Sequence, residues 1–285
     1  MSPLILALVL FSAVIHASWN LWTKQIGGSA RSGTLMWILT AISAAFYAPI
    51  ALLAPGREGW HPRWSDLGLI AGSGIIHVGY FLLLLRGYRR GDLSLVYPVA
   101  RGTGPLIACG AALALFGEPA TALTAVGALS IAIGVLVLTW RPAGAGLAPG
   151  LGTGLAVGLL IAVYILWDGW AVKRAGIPPL LFYWAGEVVR VVLFTPAALA
   201  DRAGVADLWR QHRVRVLGIA LLSPLSYILI LIAFRMGAVS HIAPAREVSI
   251  LIGAWLGGRV LGEGDRRRRL IAATAFAVGV ISLAA

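Results

Sequence analysis

Long apolar stretches recur along the whole chain and decide what it can fold into. A hydrocarbon layer of ~30 Å needs about 20 mostly apolar residues per crossing helix. Such stretches occur at residues 3–23, 33–54, 66–85, 93–116, 121–140, 150–171, 178–200, 214–234, 239–258 and 268–285. The loops between them are short, and only 12% of the 285 residues are charged. The sequence therefore predicts an all-α polytopic membrane protein with ten transmembrane helices and no domain outside the bilayer.

Positive charge is concentrated at the ends of these stretches. The net charge of +12 would suggest nucleic acid as a partner of a soluble protein. Here, loops after odd-numbered spans, taken with the first two residues of the spans that follow, hold 15 Lys or Arg residues, and loops after even-numbered spans hold five. Because cytoplasmic loops of membrane proteins collect positive charge, we predict a bacterial-type inner-membrane protein with both termini outside and no nucleic-acid partner.

Residue types that serve metal or covalent chemistry are scarce. Cys109 is the single cysteine, which excludes an intramolecular disulfide and a cysteine-based metal cluster. The histidines and acidic residues show no spacing typical of a zinc or di-metal site, and no serine nucleophile motif is present. We therefore expect no cofactor, no metal and no enzymatic activity.

The two halves of the sequence repeat one another. The aligned segments share tryptophan pairs, an arginine and a Gly-Glu pair. At an offset of 148 residues, Trp19-Asn20-Leu21-Trp22 matches Trp167-Asp168-Gly169-Trp170, and His16 matches Tyr164. At an offset of 145, Arg101 matches Arg246, and Gly117-Glu118 matches Gly262-Glu263. Each half holds five spans, and because five is odd, the second half crosses the membrane in the opposite direction. We predict two inverted five-helix repeats, residues 1–142 and 143–285, with a substrate site near the midplane where they meet.

These features resemble the drug/metabolite transporter superfamily, EamA-type. The resemblance rests on the ten spans in two halves, on helices that begin near Tyr97-Pro98 and Ala243-Pro244, and on the Gly-Glu pairs in which these helices end. It covers essentially the whole chain, although Gly262-Glu263 lacks the proline that follows Gly117-Glu118. It implies a carrier of small molecules such as amino acids, nucleotide sugars, phosphorylated sugars, amines or drugs. Members often have both termini in the cytoplasm, contrary to the arginine count, which we retain.

Six ionisable side chains lie within the spans, where each needs a partner, water or substrate. A charge at the bilayer centre costs about 2.5–3.5 kcal/mol on insertion scales. The embedded set contains three bases and three acids: Arg101, Arg190, Arg246, Asp168, Glu187 and Glu247. Glu187 and Arg190 are three residues apart and can pair along one helix. Arg246 and Glu247 are adjacent and point apart, so at least one of them should reach another helix.

Proline precedes two of the embedded arginines. Pro98 lies three residues before Arg101, and Pro244 lies two residues before Arg246. Because proline lacks a backbone N–H, we expect both helices to bend there. Each guanidinium would then bind either the freed carbonyls or a substrate carboxylate.

Asp168 stands where the first half has Asn20. We expect this carboxylate either to pair with Arg101, Arg246 or Lys24, or to carry a proton or bind a substrate ammonium. Glu187 and Glu247 are further candidates for proton coupling. Asn20 is either part of the site or a hydrogen-bonding link between helices.

Aromatic and polar side chains share one face on each of two repeat-related helices. His16, Trp19 and Asn20 form one face by three-and-four spacing, and Tyr164, Trp167 and Asp168 form its counterpart. We interpret the faces as opposite walls of one chamber; Trp22 and Trp170 fit equally well at the membrane interface. Further residues predicted to line the chamber, each alternatively a packing residue, are His77, Tyr80, Tyr97, Tyr183, Trp184, Ser226 and Tyr227.

The sequence favours a secondary transporter of small polar metabolites, most simply an exporter of amino acids or related amphiphilic metabolites. Arg101 or Arg246 would bind a carboxylate, and Asp168 or Glu187 would bind an amine or a driving proton. An alternative is uptake or efflux of a cationic amine or drug through an aromatic-lined cavity. An intramembrane enzyme on a lipid-linked substrate and a non-transporting lipid-binding subunit are remoter alternatives. Expected partners are a small molecule, the bilayer and a proton, in a monomer or in a homodimer packed through glycine-rich helices such as "GALSIAIG".

Overall fold

The computed structural model describes residues 1–26, 32–53, 60–90, 93–139, 147–261 and 266–285. These ranges form eleven helices: α1 Pro3–Ile26, α2 Ser32–Leu53, α3 Trp64–Arg90, α4 Leu93–Phe116, α5 Ala122–Thr139, α6 Leu147–Lys173, α7 Pro179–Ala200, α8 Arg202–Met236, α9 Val239–Ala245, α10 Val248–Leu261 and α11 Arg266–Ala284. No strand occurs in the described ranges, and the predicted all-α class is confirmed.

The described helices make ten crossings. Seven of them, α1 to α4 and α6 to α8, are long and apolar enough to cross a membrane, and α5 and α11 contain shorter apolar helices. Only two residues separate α9 from α10, and together these two helices occupy the predicted span 239–258. The N-terminal amine donates to the carbonyl of Ala284 at 2.7 Å, so α1 begins where α11 ends, as an even number of crossings requires. The prediction of ten transmembrane helices is confirmed.

The ninth crossing is broken at its two charged residues. Pro244 has no N–H, and the hydrogen bonds that follow span three residues instead of four: Glu247 N donates to Pro244 O at 3.0 Å and Ser249 N donates to Arg246 O at 3.1 Å. This tighter turn separates α9 from α10. The bend predicted beside Arg246 is confirmed, whereas α4 continues as one helix through Arg101.

α8 begins earlier than hydropathy predicts. Hydropathy predicts a span at 214–234 and puts Arg202 and Arg210 in a loop. In the structure, α8 starts at Arg202 and leaves helical geometry only at His212 (φ −130°, ψ 16°). The first part is amphipathic: Leu208 is buried in an apolar cluster with α1 and α2, and Arg210 pairs with Asp207 on the exposed side. A hydropathy scan detects segments that cross lipid and passes over such a helix, which is why the loop assignment was wrong.

Helix packing follows an exchange of the two halves, in which α1, α2, α3, α4 and α5 correspond to α6, α7, α8, the α9–α10 pair and α11. Three pairs of helix contacts are related by this exchange. The contact of α4 with α6 corresponds to that of α1 with α10, and the contact of α3 with α6 corresponds to that of α1 with α8. The contact of α3 with α7 corresponds to that of α2 with α8. The pairs α2–α7 and α5–α11 map onto themselves, and both are present. The fold is thus a pair of interleaved inverted repeats. The predicted boundary at residue 142 falls outside the described residues and stays a prediction.

The last helices of the two halves pack on each other through glycines. Gly127 and Gly134 of α5 lie directly against Leu283 and Phe276 of α11, and Gly279 of α11 lies against Ile131. The glycine face of "GALSIAIG" was expected to be available to a second protomer. It is covered within the chain instead, because two small-residue faces let these helices approach closely.

Candidate functional site

Polar side chains from seven crossings meet inside the bundle in two groups of contacts, which the adjacent residues Arg246 and Glu247 connect. We call this set the chamber cluster: His16, His77, Arg101, Tyr164, Asp168, Tyr183, Glu187, Arg190, Tyr227, Arg246 and Glu247. It contains all six embedded ionisable residues. Both halves of the chain contribute to it, as expected for a site between inverted repeats.

Asp168 is the most deeply buried acid of the chamber cluster, with a relative exposure of 0%. Tyr227 Oη donates to its Oδ2 at 2.6 Å, and His77 Nε2 lies 3.8 Å from the same oxygen. Its Oδ1 has no hydrogen-bond partner among the described residues. The predicted pairing with Arg101 or Arg246 is not formed, because Asp168 faces α3 and α8; the side chain of Lys24 lies outside the described residues.

His77 presents a bare nitrogen to Asp168. Its Nδ1 lies 2.8 Å from the carbonyl oxygen of Ser73. A carbonyl only accepts, so Nδ1 carries the hydrogen, and in the neutral ring Nε2 is an acceptor. Nε2 therefore faces a carboxylate, which is also an acceptor. A proton on either group turns this contact into a favourable one, so the Asp168–His77 pair is a place where one proton can be held.

Aromatic rings surround this pair. The ring of Tyr164 lies 4.7 Å from that of His77, and the ring of Tyr80 lies 5.7 Å from that of Tyr164. Tyr227 is 5.7 Å from His77 and 5.8 Å from Tyr183. These centroid distances are typical of edge-to-face and offset aromatic contacts. The wall around Asp168 is thus apolar in its body and carries phenolic hydroxyls.

Arg246 lies at the helix break against Tyr227. Its guanidinium carbon is 4.8 Å from the Tyr227 ring centroid, in cation–π geometry. Among the described residues it forms neither an ion pair nor a side-chain hydrogen bond, although it is buried. Tyr227 thus contacts both opposite charges: its hydroxyl donates to Asp168, and its ring lies against Arg246.

Arg101, the repeat counterpart of Arg246, is bound to acid and to imidazole. Its Nη1 lies 3.4 Å from Glu247 Oε1, and its Nη2 lies 3.3 Å from His16 Nε2. Because a guanidinium only donates, His16 Nε2 is an acceptor and the ring is neutral. The prediction that Arg246 or Glu247 reaches another helix is confirmed by the Glu247–Arg101 ion pair.

The remaining acid and base of the cluster are both on α7. Arg190 Nη2 lies 2.9 Å from Glu187 Oε1, so the predicted pair along the helix is confirmed. Tyr183 Oη donates to the same oxygen at 2.5 Å, and the Arg190 guanidinium lies 5.0 Å from the Tyr183 ring centroid. This triad neutralises itself.

On α1, Trp19 and Asn20 turn away from the chamber cluster, and only His16 enters it. The Trp19 ring meets the edge of His16 at 4.8 Å but packs into the apolar cluster of α1, α2 and α8. Asn20 is exposed and donates to the carbonyl of His16 at 2.7 Å. Trp22 packs against Gly218 of α8. Of the face predicted from residue spacing, His16, Trp19 and Asn20, only His16 therefore contacts the chamber cluster.

Two other predicted tryptophans donate to backbone carbonyls outside the cluster. Trp167 Nε1 donates to Leu69 O at 2.8 Å, with 36% of the residue exposed, and Trp184 Nε1 donates to Ala44 O at 2.9 Å. The indole of Trp184 thus joins α7 to α2. The side chain of Tyr97 lies outside the described residues.

The structure also shows a set of contacts that we name the Glu118 clamp, at one end of the chamber helices. Glu118 Oε1 accepts from Lys173 Nζ and from Val239 N, both at 2.8 Å, and its Oε2 accepts from Ser240 N at 2.9 Å. Lys173 Nζ also donates to Gly237 O at 2.7 Å. The carboxylate therefore caps the first turn of α9 and joins the ends of α4, α6 and α8.

Protonation of the clamp is governed by these contacts. Burial acts to raise the pKa of Glu118, but the hydrogen bonds from Lys173 and from the α9 amides outweigh it and hold the pKa below its ordinary value. In the sequence, Gly117-Glu118 serves only as a marker of the family, and its spacing does not predict this role of Glu118. One sequence feature does point to the clamp: Glu118 lies two residues beyond the end of α4, and an acid in such a position can cap the start of another helix, here α9.

The described part of the chain contains no group of three or more His, Cys, Asp or Glu residues that could hold a metal ion. Residues 3–140 match the model of the EamA-like transporter family. None of the curated proteins matches the chain. A protein of solved crystal structure covers 98% of this chain over 98% of its own, with a TM-score of 0.76 at 15% identity, which shows a shared fold and no more.

Proposed function

We propose that the chain is a membrane transporter of the EamA-like family, whose model residues 3–140 match, and that it exports amino acids or related amphiphilic metabolites by alternating access. The observation that carries the proposal is the distribution of partners among the embedded charges. Arg101 pairs with Glu247, and Arg190 pairs with Glu187. The acid and the base left over are Asp168 and Arg246.

An α-amino acid matches this remaining pair in charge. Its carboxylate would bind the planar fork of Arg246, and its ammonium would bind the open Oδ1 of Asp168. Tyr227 contacts both protein groups, Asp168 through its hydroxyl and Arg246 through its ring, so both groups lie beside one side chain. Tyr80, Tyr164 and Tyr183 would then surround the substrate side chain.

Alternating access requires two ends that close in turn. The Glu118 clamp joins α4, α6, α8 and α9 at the membrane face of the even-numbered loops. We propose that it holds this end shut in the conformation described and opens when the inverted halves exchange conformations. By the positive-inside rule we assign this face to the outside of a bacterial-type inner membrane, with both termini on the same side.

We propose the Asp168–His77 pair as the proton site that drives export. Glu187 and Glu247 are less suited to this role, because each is held by an arginine. A substrate ammonium and a shared proton would compete for Asp168, so binding of one would release the other. The cargo is moved without chemical conversion.

Counterflow into proteoliposomes tests the proposal. Purified protein is reconstituted in liposomes loaded with an unlabelled amino acid, and entry of the labelled form is measured for a panel of side chains. We expect exchange that is inhibited by intact amino acids and only weakly by their amine or carboxylic-acid analogues. Arg246→Gln should lower uptake about tenfold to a hundredfold, as expected for loss of a charge-assisted contact. The matched control is Arg235→Gln, an exposed arginine at the end of α8. Absence of exchange for every amino acid, in protein that remains folded, would contradict the proposal.

The aromatic wall favours an amine or cationic drug as a second candidate cargo. His77 and Tyr227 contact Asp168, and Tyr164 packs on both of their rings. Aromatic rings bind organic cations once water is excluded. In that case Arg246 would oppose the cargo instead of binding it. Removing the arginine charge would then raise uptake of a labelled quaternary amine, the reverse of the result expected for an amino acid.

A further inference from the structure

A groove of 560 Å³ opens on the outside of the bundle between the start of α3 and the end of α6, well within the size range of ligand pockets. We call it the α3–α6 groove, and the lining residues that matter here are Arg63, Gly68, Leu69, Trp167, Trp170 and Arg174. It lies at helix ends, where the headgroup layer of the bilayer meets the protein.

Two arginines give the groove its charge. Arg63, with 58% of its side chain exposed, donates to Asp66 Oδ1 at 3.2 Å and to Ala175 O at 2.9 Å. Arg174 donates one bond to Phe116 O at 2.5 Å. A guanidinium has five N–H donors, so both keep donors for a further acceptor, and the fork geometry suits a phosphate. With one acid beside two bases, the groove is complementary to a single negative charge.

Two tryptophans form the wall contributed by α6. Trp170 is 44% exposed, and Trp167 is seated on Gly72 of α3, where any Cβ would collide with the indole. Indole rings at this depth are the side chains that favour the headgroup layer. The groove therefore joins a cationic end to an amphipathic wall.

An open furrow runs from the groove along α3. Trp64, Gly68, Ile75 and Gly79 follow one another at spacings of four, seven and four residues, so they share one helix face, and all four are exposed. A side chain placed on Gly68 or Gly79 would meet nothing within 4 Å. Only 11% of the α3 apolar window is buried, against 33–56% for the other six long spans of the described residues. This face of α3 therefore lies on the outer surface, and the space beside its two glycines is open to an acyl chain.

We propose that the α3–α6 groove is a binding site for an anionic phospholipid. The phosphate binds Arg63 and Arg174, the glycerol region lies against Trp170, and one acyl chain follows the furrow past Gly68 and Ile75. A soluble phosphate would use the arginines and leave the furrow empty, which is why we commit to a lipid. The site goes beyond the proposed transport function and does not depend on the identity of the cargo.

The groove and the chamber are two sides of one contact between α3 and α6. Trp167 adjoins Asp168 in the chain, and Gly72 adjoins Ser73, whose carbonyl orients His77. A lipid behind Trp167 would hold α3 against α6 and so keep His77 beside Asp168. Occupancy of the groove thus supports the geometry of the chamber from outside.

Native mass spectrometry measures the retained lipid directly. Delipidated protein in detergent is titrated with phosphatidylglycerol or with phosphatidylcholine of the same chains. We expect tighter retention of phosphatidylglycerol, and a loss of about fivefold in affinity for each of Arg63→Gln and Arg174→Gln. The control is Arg235→Gln, which removes an exposed arginine at the same end of the helix bundle but outside the groove. It should leave retention of phosphatidylglycerol unchanged.

A second pair of variants tests the furrow without changing charge. Gly68→Leu fills the floor of the groove and should lower retention of phosphatidylglycerol. Gly110→Leu, at another exposed helical glycine with open space around it, should not. Equal retention of the two lipids, equal effects of Arg174→Gln and Arg235→Gln, or equal effects of the two leucine variants would overturn the proposal. These readouts need no transport, so failure here leaves the proposed function untouched, and failure of transport leaves the lipid site untouched.

Discussion

Arg101 and Arg246 occupy the same place in the two repeats and have opposite environments. Arg101 forms an ion pair with Glu247 and binds His16, whereas Arg246 lies against the ring of Tyr227 without an acid. The offset of 145 explains the difference, because the position matching Glu247 in the first half is Gly102. Only one of the two repeats has an acid beside its arginine. This acid, Glu247, pairs with Arg101 of the other half and not with its neighbour Arg246.

Asn20 and Asp168 also occupy matching positions in the two repeats and also have different environments. Asn20 binds its own helix and is exposed, while Asp168 is fully buried in the chamber cluster. A perfectly symmetric duplicate would place identical groups on both walls. The differences at these two pairs of positions leave the chamber with one base and one acid for a substrate. The predictions below test this difference, beginning with the largest effect.

Glu247→Gln should destabilise the protein strongly. It removes the acid of the buried Arg101–Glu247 ion pair, and breaking a buried pair in this way costs about 3–5 kcal/mol of unfolding free energy. Denaturant or thermal unfolding in detergent measures the loss. Asp207→Asn breaks an exposed pair with Arg210 and serves as the control, with an expected change below about 0.5 kcal/mol. If the two variants were equally stable, Arg101 would not depend on Glu247.

Asp168→Asn should strongly reduce exchange of amino acids, with a smaller effect on stability than Glu247→Gln. The amide can still accept from Tyr227, so folding is retained, but it cannot bind an ammonium or hold a proton. We expect a loss of about 1.5–3 kcal/mol in binding, or roughly tenfold to a hundredfold in counterflow. Tyr227→Phe keeps the ring under Arg246 and removes only the donor to Asp168, so it should cost less. Undiminished counterflow by Asp168→Asn would remove this residue from the site.

Glu118→Gln should weaken the clamp by about 1 kcal/mol, the usual cost of a lost helix cap. Because the pKa of Glu118 is lowered in the folded protein, the clamp contributes its stability at neutral pH and loses it as the pH falls through that lowered pKa. The stability difference between the wild type and Glu118→Gln should therefore persist at pH 5 and close only at more acidic pH. Thermal unfolding from pH 7 downwards measures it, and a difference that does not vary with pH would contradict the assignment.

Hydropathy and the internal repeat were sufficient to predict the ten crossings, and Pro244 beside two charges marked the helix break. The cost of burying a charge also singled out Asp168, Arg101 and Arg246. Partners could not be predicted, because neighbouring residues on a helix differ by 100° and a small rotation decides which one enters the chamber. Asp168 faces inward while Trp167 faces the α3–α6 groove, and the sequence alone gives no measure of that rotation.

Asn20→Asp gives the smallest expected effect and tests the comparison most directly. It makes the first repeat identical to the second at this position, yet Asn20 is exposed and touches the carbonyl of His16 instead of the other half. The new carboxylate would lose a bond within α1, and it lies three residues from the end of the first span, where a charge costs less than at the bilayer centre. We therefore expect a loss of stability smaller than that of Glu118→Gln. Counterflow of amino acids should stay within about twofold of the wild type. A large change in substrate preference would show that Asn20 reaches the substrate in another conformation of the transport cycle, and that the two walls are more alike than the described conformation indicates.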